Sequence, residues 1–104
     1  MTVEESSDSK IVYSIIDIDV KDPAEYKRYS EGYKESMEKY GGKVLVKGGR
    51  FEMIEGDRAP KRLVIQQWPS RERFKQWYNS EEYAPWKALR HKSAAANIIL
   101  IEGV

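Results

Sequence analysis

The chain has 104 residues, which is the size of one domain with one modest hydrophobic core. It contains no cysteine, so disulfides, thiolate catalysis and cysteine–zinc sites are excluded. The formal net charge is +1, and the many acidic and basic residues are interleaved along the chain. This mixture argues against nucleic-acid binding, which usually requires a one-sided basic surface.

The N-terminal residues differ in composition from the rest of the chain. Residues 1–10 are polar and acidic, which predicts a flexible tail ahead of a single domain at residues 11–104. No secretory leader is recognisable, and no apolar run approaches the roughly 20 residues of a membrane span. We therefore expect a cytoplasmic protein without membrane contact.

The first half of the domain has the pattern of a strand, a helix and further extended structure. The predicted elements are a strand at 11–20, a helix at 23–40, a strand at 43–47, a bend at 48–49 and renewed extended structure at 50–55. Asp22 followed by Pro23 is a strong helix start, because Asp caps free amides and Pro has the backbone angle of the first turn. Gly41 predicts the left-handed residue that ends the helix.

The second half repeats this order. It predicts a turn at 56–60, a strand at 61–68, a helix after Ser70 that is interrupted at 79–80 and continues to about 93, and a last strand at 97–101. The order βαββαβ predicts the ferredoxin-like fold of the α+β class, in which a four-stranded antiparallel sheet carries its helices on one face.

The composition of the first and last strands indicates a partner for the other face of that sheet. Both faces of the first and last strands are apolar, although the helices cover only one side. The chain also has three tryptophans, seven tyrosines and two phenylalanines, more than a core of this size easily hides. These residues predict a homodimer that packs sheet against sheet, or a pocket, with the dimer favoured.

Several short segments, in this order and spacing, resemble the bacterial family called domain of unknown function 1330. They are Asp22-Pro23-Ala24-Glu25-Tyr26, Tyr40-Gly41-Gly42, Gly48-Gly49, Glu55-Gly56-Asp57, Pro60-Lys61-Arg62-Leu63-Val64 and Trp77-Tyr78-Asn79-Ser80. This family is part of the dimeric α/β-barrel superfamily, so the resemblance implies a homodimer and a cleft between the sheet and the helices of each subunit. That superfamily includes cofactor-free monooxygenases, isomerases, haem proteins and ligand-sensing domains, so the resemblance implies no single activity.

Five residues are candidates for ligand binding in such a cleft. They are Arg50, Arg62, Gln67, Asn79 and Tyr83. Either arginine could hold a ligand carboxylate by two parallel hydrogen bonds, or form an ion pair with an acidic residue of the neighbouring turn. Gln67 and its neighbour interrupt an apolar strand, and one of the two must face inward if the strand is regular. Asn79 and Tyr83 flank a helix break, and core packing is the simpler role for the tyrosine.

Four residues are candidates for catalysis. Asp17 and Asp19 share one face of the first strand and could divide acid and base roles, or could simply be solvated or paired with a lysine. His91 is the single histidine and could act as a base or a haem ligand. It lies in the basic stretch 87–92 at a helix end, where a cation is stabilised by the helix dipole, and this explanation is sufficient. Tyr83 could donate a proton.

No complete catalytic constellation is recognisable, and no metal site or cofactor is expected. We therefore expect a homodimeric domain that binds a small organic ligand. The alternative is a cofactor-independent isomerase, lyase or monooxygenase that acts on a small organic acid or an aromatic substrate.

Overall fold

A computed structural model describes residues 10–104, so all of the expected tail except Lys10 lies outside the described residues. In chain order the elements are β1 (Val12–Val20), α1 (Pro23–Gly32), α2 (Lys34–Glu38), β2 (Lys43–Lys47), β3 (Leu63–Trp68), α3 (Arg71–Tyr78), α4 (Ala84–Ser93) and β4 (Ala94–Glu102). The predicted order of strands and helices is confirmed, with each predicted helix divided into two segments.

The four strands form one antiparallel sheet in the order β2-β3-β1-β4. β1 lies in the centre, where Ile15 is opposite Ile65 on one side and Ile99 on the other. The helices cover one face of this sheet, and this is the ferredoxin-like α+β fold. We call the covered side the helix face and the other side the open face.

Local signals position the helices as the sequence indicates. The Asp22 carboxylate accepts a hydrogen bond from the Glu25 amide at 3.2 Å, and the Ser70 hydroxyl accepts one from the Arg73 amide at the same distance. Both side chains thereby satisfy amides that the first turn leaves free. Gly41 has a φ of +82° and ends the α1–α2 region in the left-handed conformation.

The core lies between the helix face and the helices. Alternate residues of β1 and β3 point into it, and they include Val12, Ile16 and Trp68, all buried. Tyrosines of α1 and Trp77 of α3 pack against them. Val12, Ile16 and Ile18 therefore lie together on the helix face of β1.

The open face carries an apolar patch that is uncovered in the protomer. Ile99 and Ile101 are 57% and 52% exposed, and they lie beside the half-buried Tyr13 and Ile15 of β1. Leu63 and Ile65 of β3 continue this surface on the other side of β1. Nothing within residues 10–104 packs over it.

Two boundaries in the middle of the chain differ from the prediction. The expected extended structure at 50–55 is not a strand, and its residues are all exposed. The last ladder bond before it runs from the Gly48 amide to the Leu63 carbonyl at 2.7 Å, and beyond it the chain leaves the sheet. A strand needs the backbone groups of a neighbour, and this segment has none in the protomer. The first helix is also divided at Tyr33, directly after Gly32, and its second segment ends at Glu38 rather than at Tyr40.

The last strand is longer than predicted. β4 begins at Ala94 rather than at residue 97, directly after α4 and without an intervening turn. Ala94 and the two alanines that follow pair with the C-terminal end of β1. Alanine has low β-propensity, so the pairing with β1 and not the local sequence decides the conformation here.

Candidate functional site

A small cavity lies between the helix face and the helices. It has a volume of about 20 Å³, which is room for roughly one water molecule. Its lining is Ile16, Ile18, Tyr26, Tyr29, Tyr33, Val64, Gln66, Phe74, Trp77, Tyr78, Tyr83, Arg90 and Ile98. The wall is thus apolar and aromatic, with its polar groups concentrated on the tyrosines, Gln66 and Arg90.

Arg90 of α4 is a buried cation in this wall. It is only 4% exposed, and no carboxylate among residues 10–104 forms an ion pair with its guanidinium. Its Nε donates to the Tyr83 hydroxyl at 3.4 Å, and its Nη2 lies 3.5 Å from Nε2 of His91. A buried charge without a counter-charge normally costs several kcal/mol, so this arrangement requires a reason other than stability.

Two tyrosine hydroxyls lie beside Arg90. The hydroxyl oxygens of Tyr29 and Tyr83 are 2.7 Å apart and form one hydrogen bond. Because the pair has two O–H protons and this bond uses one, the other remains able to donate to a third group. Burial raises the pKa of both hydroxyls, although Arg90 acts in the opposite direction on each. Both tyrosines are therefore neutral donors at physiological pH.

A second polar network fixes the sheet beneath the cavity. The Ser14 hydroxyl donates to Oε1 of Gln66 at 2.7 Å and accepts from Nε1 of Trp68 at 3.1 Å. Nε2 of Gln66 lies 3.5 Å from the Tyr33 hydroxyl. Because its Ser14 and Trp68 members are fully enclosed and paired with one another, this network holds the sheet side of the cavity rigid.

Tyr26 separates the cavity from a larger pocket at the surface. This outer pocket has a volume of about 510 Å³ and is lined by Val20, Pro23, Tyr26, Lys27, Ser30, Glu31, Lys47 and Arg62. The Arg62 guanidinium carbon lies 5.6 Å from the centre of the Tyr26 ring, within the range of a cation–π contact. Tyr26 is therefore a lining residue of both spaces.

The predicted catalytic residues lie in three different places. Tyr83 lines the cavity, whereas His91 is exposed and does not. Slight desolvation, then the charges of Arg90 and Lys87, lower the pKa of His91 below its ordinary value. Asp17 is on the open face, where its carboxylate accepts from the amides of Lys61 at 2.9 Å and Arg62 at 3.4 Å.

The other predicted ligand-binding residues are also dispersed. Arg62 lines the outer pocket, but Arg50 lies in the exposed loop that follows β2. Gln67 faces away from the helices, and Gln66 is the amide that points into the cavity. Asn79 is exposed at the end of α3, where its side-chain amide donates to the Lys75 carbonyl at 3.0 Å. Of the five, only Tyr83 and Arg62 lie at these two spaces.

Sequence reasoning missed Arg90 and Tyr29. The basic stretch 87–92 predicts a solvated helix end that includes Arg90, although Arg90 follows Tyr83 by seven residues and Trp86 by four. Those spacings place it on the apolar face of α4. Tyr29 follows Tyr26 by three residues and precedes Tyr33 by four, which is helical spacing, and only the tertiary structure brings its hydroxyl to Tyr83.

Metal and membrane sites are not found in the described part of the chain. No group of three or more Asp, Glu or His side chains within residues 10–104 is arranged to hold a metal ion. In the same range, no helix combines the length and apolar character needed to cross a bilayer.

The chain belongs to the family described as domain of unknown function 1330, whose model matches residues 11–104. The resemblance stated from the sequence is thereby confirmed. No curated protein sequence matches the chain.

Solved structures share the fold at low sequence identity. A protein of unknown function from Rhodopseudomonas palustris is 18% identical, with a TM-score of 0.77 over 100% of this chain and 95% of its own. SnoaB, a cofactor-independent oxygenase from Streptomyces nogalater, is 11% identical, with a TM-score of 0.61 over 91% of this chain and 94% of its own. A hypothetical Arabidopsis thaliana protein is 10% identical, with a TM-score of 0.69 over 94% and 92% of the two chains. These likenesses establish the fold and no activity.

Proposed function

We propose that this protein binds a small, largely apolar organic ligand through an oxygen atom of that ligand, in the cleft between the sheet and the helices. The observation that supports this most strongly is Arg90, a buried cation without a carboxylate partner in the described chain. The spare O–H of the Tyr29–Tyr83 pair lies beside it. Together they offer a ligand oxygen one neutral donor and one positive charge, inside a site shielded from water.

The ligand enters by displacing side chains, because the cavity of about 20 Å³ is smaller than any organic molecule. Movement of the Tyr26 ring would join the cavity to the outer pocket of about 510 Å³, within the usual size range of ligand sites. Tyr26 is therefore the side chain that controls entry in this proposal.

The functional unit of the proposal is a cytoplasmic homodimer. Its support is the apolar open face, on which Ile99 and Ile101 are more than half exposed. A second copy of the same sheet is an apolar surface of matching size. Two-fold pairing of this kind covers the open faces of both copies at once. The dimer would leave the helix-face cleft of each subunit accessible.

The charge of Arg90 gives a direct test with 4-nitrophenol, an aromatic probe whose phenolate is coloured. We expect the protein to bind it as the phenolate, which appears as a rise in phenolate absorbance at a pH where the free probe is mostly protonated. Arg90→Met should lower the affinity at least about tenfold, since hydrogen bonds to charged groups contribute roughly 1.5–3 kcal/mol. The same substitution should leave the free energy of unfolding unchanged or increase it, because it replaces an unpaired buried charge by an apolar side chain.

Lys92→Met is the matched control. It removes the same charge from the same helix at an exposed position, and it should leave the absorbance change intact. Equal loss in both variants, or no absorbance change with the wild-type protein, would contradict the proposed site.

A second candidate function is a cofactor-independent enzyme that stabilises an enolate. The same Arg90 and hydroxyl pair would stabilise the oxyanion formed when a base removes a proton next to a carbonyl group. SnoaB, which shares the fold, is a cofactor-independent oxygenase. Binding without turnover is favoured because no carboxylate or histidine is among the described residues that line the cavity.

Deuterium exchange separates the two candidates. In D₂O an enolate-forming enzyme would accelerate loss of the α-protons of 1-indanone, measured by NMR, and Tyr83→Phe and Arg90→Met would remove the acceleration. His91→Ala tests the single histidine as the base. Exchange at the buffer rate would contradict the enolate-forming candidate function and leave the binding proposal unaffected.

A further inference from the structure

The outer pocket has its own positively charged wall. Three of its lining residues, Lys27, Lys47 and Arg62, are cationic, and one, Glu31, is anionic. Lys34 lies close to Lys47 and lowers the pKa of that lysine, and Arg62 adds to the effect. Like charges gathered in a wall that contains one acidic residue create a local positive potential that attracts anions.

Arg62 is held in place from two directions. Its backbone amide and that of Lys61 donate to the Asp17 carboxylate, which fixes the start of β3. Its side chain crosses Gly48, where a Cβ atom would lie only 2.5 Å from the arginine Nε. Gly48 also has a φ of +65°, so any other residue there would be strained as well as obstructive. The position of the guanidinium thus depends on a glycine at this site.

The Arg62 guanidinium is incompletely satisfied. Its Nε is buried without a hydrogen-bond partner, and no carboxylate among residues 10–104 forms an ion pair with it. The alternative that Arg62 pairs with an acid of the neighbouring turn is therefore not what the structure shows. A buried donor that lacks a partner is costly and requires an explanation, such as a catalytic role or a bound water or ion.

We propose that the outer pocket binds the carboxylate of an organic acid, with Arg62 as its main partner and Lys47 as a second positive charge. Val20, Pro23 and the ring of Tyr26 complete the lining with apolar surface, which suits the carbon body of such an acid better than a hydrated inorganic anion. The support for the anion site is the geometry of the outer pocket. A second part of the proposal, that the carbon body of the same molecule extends past Tyr26 into the cleft, depends on the proposed function.

The test compares 3-phenylpropanoate with its uncharged amide, 3-phenylpropanamide, by NMR titration of the backbone amides of Gly48 and Arg62. The acid should cause saturable shifts and bind at least about tenfold more tightly than the amide, as expected for a charge-assisted contact. Arg62→Gln should remove this preference. It should still fold, since Asp17 binds the backbone at Arg62 and not its side chain.

Two further variants make the result specific. Lys43→Gln removes one positive charge from β2 at an exposed position outside the pocket, and it should keep the preference for the acid. Gly48→Ala should weaken it, because the added Cβ displaces the guanidinium. The proposal is overturned if the acid gives no saturable shift at Gly48 and Arg62, if the amide binds equally well, or if Lys43→Gln acts like Arg62→Gln.

The result of this titration is independent of the ligand site proposed at Arg90 and the Tyr29–Tyr83 pair, which we call the interior site. With Arg90→Met, the 4-nitrophenol signal should disappear while the preference for the acid at Arg62 persists. Loss of both in Arg90→Met would mean that the two sites are not separate, which would contradict the outer carboxylate site. Absence of the phenolate signal in the wild-type protein, together with a normal acid titration, would overturn the interior site alone.

Discussion

The two faces of the sheet differ in how much of their structure is complete within one protomer. On the helix face, Trp68 and Ser14 are fully buried, and their polar atoms bond to one another. On the open face of the same strands, Ile99 and Ile101 are more than half exposed. One strand such as β1 therefore contributes alternate side chains to a finished core and to an unfinished apolar surface.

This difference separates stability from association. Substitutions on the helix face should change the free energy of unfolding, because close packing and paired polar groups leave no room for adjustment. Substitutions on the open face should change the number of subunits that associate. The following variants test this division, from the largest expected effect on protomer stability to the smallest.

Trp77→Ala should be the most destabilising of these changes. The Trp77 ring centre lies 3.9 Å from that of Tyr83 and 4.9 Å from that of Trp68, and its Nε1 donates to the Ser36 hydroxyl at 2.9 Å. Removal of a buried aromatic ring costs about 3–5 kcal/mol, measured by urea unfolding. Trp77→Phe keeps much of the ring packing and should lose clearly less. Equal losses in the two variants would show that ring packing is not the main contribution.

High pH should destabilise the protein through its buried tyrosines. Burial raises the pKa of Tyr33 to about 12, from about 10 in an unfolded chain. Between these values the folded state keeps a proton that the unfolded state has lost, so the free energy of unfolding falls as pH rises, by about 1.4 kcal/mol per pH unit for one tyrosine. Tyr33→Phe should reduce this slope. A slope unchanged by the substitution would contradict the burial argument for Tyr33.

Ser14→Ala tests the polar network of the helix face. The substitution leaves Oε1 of Gln66 and Nε1 of Trp68 without their bonds to the hydroxyl, and it should cost about 1–3 kcal/mol by thermal or urea unfolding. Ser30→Ala, at a partly exposed position on α1, is the control and should be nearly neutral. A neutral Ser14→Ala would indicate that the two freed groups find other partners.

The fold could be predicted because its signals are local. Capping residues such as Asp22 and Ser70, the left-handed Gly41 and the periodicity of apolar residues each fix one element from a few neighbours in the chain. The element boundaries that were predicted wrongly depend on contacts between distant parts of the chain. Residues 50–55 alternate like a strand but have no neighbour to pair with, and Ala94 belongs to a strand only because β1 lies beside it.

The site was less predictable because burial of a polar side chain depends on tertiary structure. Arg90 carries no sign in its own identity that it is buried rather than solvated, and only its spacing from Tyr83 gave a usable signal. Gln66 and Gln67 could have been distinguished by parity, since Gln66 shares its face of β3 with Trp68 and Val64. The Tyr29–Tyr83 contact joins residues 54 positions apart and has no sequence signature.

Of these changes, a charge on the open face should alter the stability of the protomer least, and it should abolish association. Ile99→Asp combined with Ile101→Asp places a charge at two adjoining positions of the proposed dimer interface, where each half-exposed isoleucine otherwise contributes roughly 1 kcal/mol when covered. We expect the wild-type protein to sediment as a dimer and the double variant as a monomer with unchanged far-UV circular dichroism. The conservative pair Ile99→Val and Ile101→Val keeps the surface apolar and should remain dimeric.

The concentration dependence of unfolding then tests whether the free energy of association at the open face is separate from the folding free energy of the protomer. For a dimer that unfolds to separate chains, the midpoint temperature rises with protein concentration, whereas for the monomeric aspartate variant it should not. A wild-type protein that sediments as a monomer would refute the dimer. A double variant that unfolds outright would instead show that the helix face cannot sustain the protomer alone, and the division drawn between the two faces would have to be given up.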